Sequence, residues 1–330
     1  MRINICLSTD KNYIKPLACT IASILKNADI ETDLHIFILE SDLSDEDKNK
    51  ILSLKKIKHC EISFIKINAE KFSSIPNFRE SLSYISKTAF FRFLLPDLLK
   101  DTDKTIYLDS DVIVLRDLKD LFMQDIEQYY IAAVEDMPHY YNSSKYNMFK
   151  TFDFYINSGV LLMNLKLWRK EHLSSKLFNI IEENIKNFIY FDQDALNVVC
   201  KNKIKSLDFS YNIPADFLKT GLLLNHPKKQ EIIENLKRIK IIHYTTARKP
   251  WNYFGYIPLR KYYLYYEKMT PFKTNYTLKT RIKFFIQGFK YPLDKIRIII
   301  APIINIYRED NFFKLKLFKH FKFNLTKINK

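Results

Sequence analysis

Short apolar runs alternate with stretches of helical apolar spacing from the first residues of the chain onward. Arg2 to Leu7 is an apolar run of strand length, and the polar loop Ser8-Thr9-Asp10-Lys11-Asn12-Tyr13 follows it. Between Tyr13 and Lys26, Leu17, Ile21, Ile24 and Leu25 share one face, which predicts an amphipathic helix. Leu34 to Leu39 reads as a second strand and Glu61 to Ile67 as a third. Between them Ser44 precedes Asp45, Glu46 and Asp47, so a serine caps a helix whose first turn is acidic. Such alternation predicts an α/β fold with a mostly parallel central sheet covered on both faces. Ligands of these sheets bind beyond the carboxyl ends of the strands.

The pattern continues downstream. Ser86 to Leu95 reads as a helix stopped by Pro96, and it carries Phe90-Phe91-Arg92-Phe93. An arginine among aromatics is usually a snorkelling surface residue and less often a phosphate clamp. Ile131 to Val134 is a strand, and Asn157-Ser158-Gly159-Val160-Leu161-Leu162-Met163-Asn164 reads as a turn feeding another. Lys166 to Lys186 reads as one helix with Trp168 in the core. Phe191-Asp192-Gln193-Asp194-Ala195-Leu196-Asn197 opens a further helix, where the helix dipole alone is enough to explain Asp192 and Asp194. Ile239 to Ile242 is the last strand, and it delivers His243-Tyr244-Thr245-Thr246-Ala247-Arg248-Lys249-Pro250-Trp251.

One stretch breaks the pattern. In Thr105-Ile106-Tyr107-Leu108-Asp109-Ser110-Asp111-Val112-Ile113-Val114, two carboxylates interrupt a run apolar enough to be interior strand. Burying an unpaired charge is costly, so carboxylates in such a place are paired or bind a cation. Asp-x-Asp at a strand end offers two hard oxygen ligands for Mg2+ or Mn2+ carrying a phosphorylated ligand. A strand end followed by an acidic turn fits the ten residues equally well.

Composition narrows the chemistry. The 330 residues suffice for one large α/β domain with an appendage, or for two small domains. With only 4 glycines and no G-x-G-x-x-G or Walker A sequence, a glycine-rich phosphate cradle is excluded. A nucleotide must then be held by a metal, side chains and helix starts. Cys6, Cys19, Cys60 and Cys200 show no zinc or disulfide spacing. The amino terminus lacks a signal-peptide layout and no uncharged apolar run spans a membrane, so a cytoplasmic location is expected. The net charge of +16 is unevenly spread: Arg260 to Lys330 holds 17 Lys+Arg against 4 Asp+Glu, leaving the rest nearly neutral.

Taken together, Ser8 to Tyr13, Phe91-Arg92-Phe93, Leu108-Asp109-Ser110-Asp111, Asn157 to Asn164, Asp192-Gln193-Asp194, and His243-Tyr244 with Lys249-Pro250-Trp251 resemble glycosyltransferase family 8. Its bacterial members include lipopolysaccharide and lipooligosaccharide hexosyltransferases. The resemblance runs from Ile3 to about Trp251 and lies in the order and spacing of the six segments.

That resemblance implies a GT-A nucleotide-diphosphosugar transferase fold, a UDP-glucose or UDP-galactose donor, Mn2+ (with Mg2+ as second choice) and transfer with retention of anomeric configuration. Asp109, Asp111 and His243 match the family's metal ligands, and two carboxylates with an imidazole suit Mn2+. Asp10 and Asn12 match contacts to uridine and ribose, and Ser8 matches the small residue beside the base. Arg92 matches the basic residue near donor sugar and phosphates, Ser110 falls among the donor-binding residues, and Asn157 lines the sugar pocket. Asp192 and Gln193 match the pair beside the anomeric carbon, and Lys249 matches the diphosphate-binding lysine. With no second carboxylate placed as a nucleophile, the implied mechanism is front-face displacement. Two positions depart from the family: Thr246 replaces a glycine whose backbone approaches the diphosphate, and Lys11 replaces an acidic residue.

The expected organisation is a catalytic domain over residues 1–258 and a basic, aromatic, helical appendage over 259–330. Arg281-Ile282-Lys283-Phe284-Phe285-Ile286 and Phe312-Phe313-Lys314-Leu315-Lys316-Leu317-Phe318-Lys319 suit an anionic membrane surface. Ile296 to Tyr307, interrupted by Arg297 and Pro302, should lie in the interface without spanning it. The expected partners are thus a UDP-hexose, a lipid-linked saccharide acceptor and the inner face of the cytoplasmic membrane, with no nucleic acid. Two other readings remain open. The apolar strand followed by Asp109-Ser110-Asp111-Val112-Ile113 also resembles the aspartyl-phosphate motif of haloacid-dehalogenase-type phosphohydrolases, although there it follows the first strand. A UDP-sugar-binding protein without turnover is the other.

Overall fold

The computed structural model describes residues 1–68, 87–137, 152, 154–184, 187–219, 223, 226–253 and 257–274, with the strand segments 299–300, 304–309, 312–317 and 321–324 beyond them. Among the described residues, ten strands build the body: β1 (Arg2–Thr9), β2 (Asp33–Glu40), β3 (Glu61–Lys66), β4 (Lys104–Leu108), β5 (Val112–Val114), β6 (Ile131–Glu135), β7 (Ile156–Asn164), β8 (Ile204–Leu207), β9 (Ile213–Pro214) and β10 (Ile241–His243). Seven form one sheet in the order β3-β2-β1-β4-β7-β6-β8, and three form a small sheet in the order β5-β10-β9. In the large sheet β7 alone runs against its neighbours β4 and β6, and the other pairs are parallel.

Interior strands look apolar throughout because each face feeds its own core. Ile3, Ile5, Leu7, Ile106, Leu108, Val160 and Leu162 point into one core, together with Leu17, Ile21, Ile24 and Leu25 of the helix Ile14–Asn27. Cys6, Tyr107, Leu161 and Met163, at the intervening positions, point into the other, with Trp168, Leu177 and Leu196 from the helices Leu165–Lys170, Leu173–Asn184 and Asp192–Cys200. The alternation in the sequence is therefore between two buried faces. All four cysteines are free and buried.

Thr105 to Val114 divides between the two sheets. β4 ends at Leu108 in the large sheet and β5 begins at Val112 in the small one, so Asp109-Ser110-Asp111 forms the corner. The polar side of the helix Ile14–Asn27 holds β5 on its free edge. Thr20 Oγ1 donates to Val112 O at 2.7 Å, Ser23 Oγ accepts from Val114 N at 2.9 Å and Asn27 Nδ2 donates to Val114 O at 3.0 Å. Buried backbone groups need partners, and these side chains supply what a fourth strand would.

Several expectations change. Ser44 does cap its helix, accepting from Asp47 N. Lys87–Leu94, however, is a 3-10 helix, and Pro96 lies in the first turn of a new helix, Leu95–Leu98. A residue without an N–H is tolerated in a first turn, so this proline begins an element where it was expected to end one. In place of one helix over Lys166 to Lys186, the described residues form two, Leu165–Lys170 and Leu173–Asn184, broken where His172 adopts a φ of 53°. Asn157 to Gly159 is strand from the outset, part of β7, and the Asn157 side chain accepts from the Gly159 N–H.

The tail differs most. Arg260–Glu267 is a helix, and it packs on the body: Tyr263 and Tyr266 lie in the first core, and Glu267 pairs with Lys15 at 2.7 Å. Beyond it, Ile299–Ile300, Ile304–Glu309, Phe312–Leu317 and Phe321–Asn324 form an antiparallel sheet in sequence order. Ile239 to Ile242 is thus not the last strand, and the helical expectation fails over these segments. Phe313-Lys314-Leu315-Lys316-Leu317 and Phe321-Lys322-Phe323 alternate with period two, which is strand periodicity. Arg281 to Ile286 lies outside the described residues.

Candidate active site

The carboxyl ends of β1 and β4, the start of β7 and the end of β10 converge on a cleft of about 260 Å3. Its corner is tied down by backbone and hydroxyl contacts. Asp109 N donates to Gly159 O at 2.9 Å, Tyr244 N to Asp111 O at 3.1 Å, and Ser110 Oγ to Ser8 O at 2.6 Å. β10 pairs with β5 so that His243 stands opposite Val112. The result is that ligand atoms of Asp109, Asp111 and His243 lie within 4.8 Å of one another. His243 Nε2 is 3.1 Å from Asp111 Oδ1 and 3.7 Å from Asp109 Oδ2.

This set fits a divalent ion on three counts. Two carboxylates and an imidazole are a suitable donor set. Asp111 Oδ1 is buried and accepts no hydrogen bond. The cleft wall carries Asp109, Asp111, Asp136 and Asp192 against Arg92 and Lys249, so acidic side chains outnumber basic ones.

Arg92 is buried, at 2 % exposure, and the snorkelling reading does not hold. Its guanidinium donates to Ser158 O at 2.5 Å and to Asp109 Oδ1 at 2.9 Å, lies 3.4 Å from Asp192 Oδ2, and stacks over Tyr107 at 4.2 Å. Burial opposes its charge, but Tyr107, Asp109 and Asp192 outweigh that and hold the proton more firmly than usual. Lys249 Nζ donates to Asp111 Oδ2 and to Tyr244 O, both at 2.6 Å. Burial would raise the Asp111 carboxyl, yet Lys249 and His243 overcome it and keep Asp111 well below the usual carboxylate range.

Asp192 and Gln193 open their helix beside the cleft, following Phe191 at a φ of 45°. A non-glycine residue at positive φ is strained. Ser158 Oγ donates to Asp192 Oδ2 at 3.1 Å, and Ser158 N donates to Gln193 Oε1 at 3.1 Å. Burial pushes the Asp192 carboxyl up to about 6, against the pull of Arg92. Asp194 points away from the cleft wall. It accepts from Tyr155 OH and, at 2.6 Å each, from Ile189 N and Tyr190 N, so its role is structural.

The profile of the family described as Glycosyl transferase family 8 matches residues 4–255. The chain belongs to this family. General stress protein A of Bacillus subtilis is 29 % identical over 280 residues, spanning 82 % of this chain and 95 % of that protein. Lipopolysaccharide 1,3-galactosyltransferase of Salmonella typhimurium is 27 % identical over 278 residues, spanning 82 % and 79 %. The crystal structure of the galactosyltransferase LgtC, in complex with donor and acceptor sugar analogs, superposes with a TM-score of 0.70 at 23 % identity. It covers 85 % of this chain and all (100 %) of that one. The fold is the GT-A type, and the phosphohydrolase reading falls away.

Within this family-8 frame, Ser8, Arg92, Asp109, Ser110, Asp111, Asn157, Asp192, Gln193, His243, Thr246 and Lys249 all line the one cleft. Asp10 and Asn12 do not. Asp10 caps the turn Lys11–Tyr13 by accepting from Asn12 N and Tyr13 N, and Asn12 is exposed. Thr246, in place of the family's glycine, donates its hydroxyl to Asp216 and so anchors its loop from the side. Two residues escaped the sequence reading. Asp136 follows β6 directly, so the strand-end rule that singles out Asp109 would have found it; burial raises its carboxyl to about 7. Asn212, between His243 and Asn157, gave no signal in the sequence.

Proposed function

We propose that the protein is a retaining hexosyltransferase that moves glucose or galactose from a UDP-sugar to a lipid-linked saccharide in lipopolysaccharide, lipooligosaccharide or other surface-glycan synthesis. The observation that carries this reading is the meeting of Asp109, Asp111 and His243 in a cleft whose other wall is Asp192-Gln193. Lipopolysaccharide 1,3-galactosyltransferase among the relatives supports the acceptor class.

Asp109, Asp111 and His243 would hold a divalent ion, Mn2+ by its donor set, which would neutralise charge on the diphosphate. Ser8 faces the nucleoside, Asp10 shapes the neighbouring turn by capping it, Ser110 steadies the corner, and Thr246 and Lys249 receive the diphosphate. Lys249 exchanges its contact with Asp111 for the phosphates as negative charge develops there. Arg92 and Asn157 orient the sugar, and Asp192 and Gln193 flank the anomeric carbon. Asp192 is the carboxylate at hand for a double displacement, but it is committed to Arg92 and Ser158. Front-face attack, with an oxygen of the departing UDP taking the acceptor proton, therefore fits better.

In this reading residues 1–258 carry the catalytic domain, and the region 259–330, past the helix Arg260–Glu267 that packs on the body, associates with an anionic membrane. No helix among the described residues is long and apolar enough to cross a membrane. The test is UDP release from UDP-glucose and UDP-galactose with and without Mn2+. Metal-dependent release from one of them is expected. Tight binding without release would instead support a UDP-sugar-binding protein.

A further inference from the structure

The neutral imidazole of His243 can carry its proton on either nitrogen, and only one form leaves Nε2 able to bind a cation. The neighbouring amides decide which. Gly159 N–H donates to Asn157 Oδ1 at 3.1 Å, and a backbone amide nitrogen can only donate. That contact fixes the oxygen end of the Asn157 side chain and turns its NH2 to Asp136 Oδ1, 3.3 Å away. The Asn212 group lying 2.8 Å from Asn157 Oδ1 must then be its own NH2. The Asn212 oxygen accordingly faces His243 Nδ1, at 3.0 Å. Because an amide oxygen only accepts, Nδ1 carries a proton, and in the neutral ring this leaves the Nε2 lone pair facing Asp111 Oδ1, 3.1 Å away.

We propose that Asn212 is a positioning residue that passes the polarity of the Gly159 amide, through Asn157, to His243. It holds the imidazole in the Nδ1-protonated form that presents Nε2 to a divalent ion. One observation supports this beyond the hydrogen bonds. Asn212 is only 2 % exposed and immediately precedes Ile213, which pairs with Ile242 in β10, so the small sheet fixes its position against the ring. Groups that hold the second nitrogen of a metal-bound histidine typically govern affinity by roughly 10- to 100-fold.

The proposal rests on the metal reading above, and two measurements keep the two apart. Nitrogen-15 NMR of the metal-free, full-length protein reads the tautomer of His243 directly. Electron paramagnetic resonance reads Mn2+ binding without any donor sugar. Wild-type protein is expected to show the Nδ1-protonated tautomer. Asn212→Leu, which removes the acceptor, is expected to lose that preference and bind Mn2+ roughly 10- to 100-fold more weakly. Asn212→Asp, which keeps an acceptor at the ring, is expected to keep the tautomer and recover most of the affinity. An Nε2-protonated His243 in wild type, or wild-type Mn2+ affinity in Asn212→Leu, overturns the proposal. Absence of Mn2+ binding by wild type overturns the metal reading instead. If Asn212→Leu does not fold, the wild-type spectrum still decides.

Discussion

A methyl group at Gly159 would stand 2.1 Å from Cε1 of His243 and 2.8 Å from both its Nδ1 and Asp109 Oδ2. The imidazole thus occupies space that a missing side chain leaves open, on a strand whose own ladder does not need that space. Gly159→Ala should therefore spare the fold and displace the ring from Asp109 and Asp111. The expected outcome is a loss of Mn2+ affinity together with a fall of roughly 100-fold or more in donor turnover, since an active-site displacement of about 1 Å can cost that much. Both are read by Mn2+ titration and UDP release. Wild-type behaviour in both would place the functional metal elsewhere.

Asp111 is tied as closely to Lys249 as to any ion. Lys249 Nζ donates to Asp111 Oδ2 at 2.6 Å, with both side chains mostly or wholly buried. Asp111→Ala is expected to abolish transfer, because it removes a metal ligand. It should also destabilise the protein, by roughly 3 kcal/mol, because it strands a buried ammonium. Asp111→Asn, which keeps the shape and an acceptor oxygen, should be nearly as inactive and less destabilised. Urea unfolding of the two variants beside their UDP release separates the effects. Robust transfer by either variant would remove Asp111 from the metal centre.

The sequence showed where charge had been placed against the grain of a strand, and this is why Asp109 and Asp111 stood out. It showed the parallel βα alternation for the same reason: period and length are local. What it hid depends on distant partners. Arg92 looked like a surface residue, because nothing local reveals that Asp109, Asp192 and the ring of Tyr107 enclose its guanidinium. Pro96 looked like a stop, since a first turn and a last turn are alike until the neighbouring element is known. Asn212 is polar, short and flanked by apolar residues, which describes many loop positions. Only the fold sets it against His243. The tail misled through mixed signals, because runs of basic and apolar residues satisfy helical and strand spacing almost equally over so few positions.

The basic region beyond the helix Arg260–Glu267 is expected to bind anionic lipid. Deleting the chain from Thr277 onward leaves that helix in place, where Tyr263 and Tyr266 complete a core. The truncated protein should keep Mn2+-dependent UDP release and lose sedimentation with vesicles of anionic lipid at moderate salt. Each basic residue near such a surface contributes about 1 kcal/mol before screening. Undiminished sedimentation would assign the membrane contact to the catalytic body.

Asp136 gives the cleft a pH dependence. Burial raises its carboxyl from 3.8 to about 7, more than Asn157 and His243 lower it. A carboxyl whose folded value is raised is protonated in the folded state while the unfolded chain has already ionised. Its contribution to stability is complete below about 4 and is lost as the pH rises through about 7. For the metal-free protein, one such group tilts the stability curve downward over that window by on the order of 1 kcal/mol per pH unit. Asp192, raised to about 6, adds a similar slope over a narrower range. Asp136→Asn removes only the first contribution, so its unfolding free energy should be flatter between pH 4 and 7 than that of the wild type. The Asn157 amide that donates to Asp136 must find another acceptor in the variant, and Asn Oδ1 provides one. Parallel wild-type and Asp136→Asn curves across this window would show that Asp136 titrates as an ordinary carboxylate and that the cleft there is open to water.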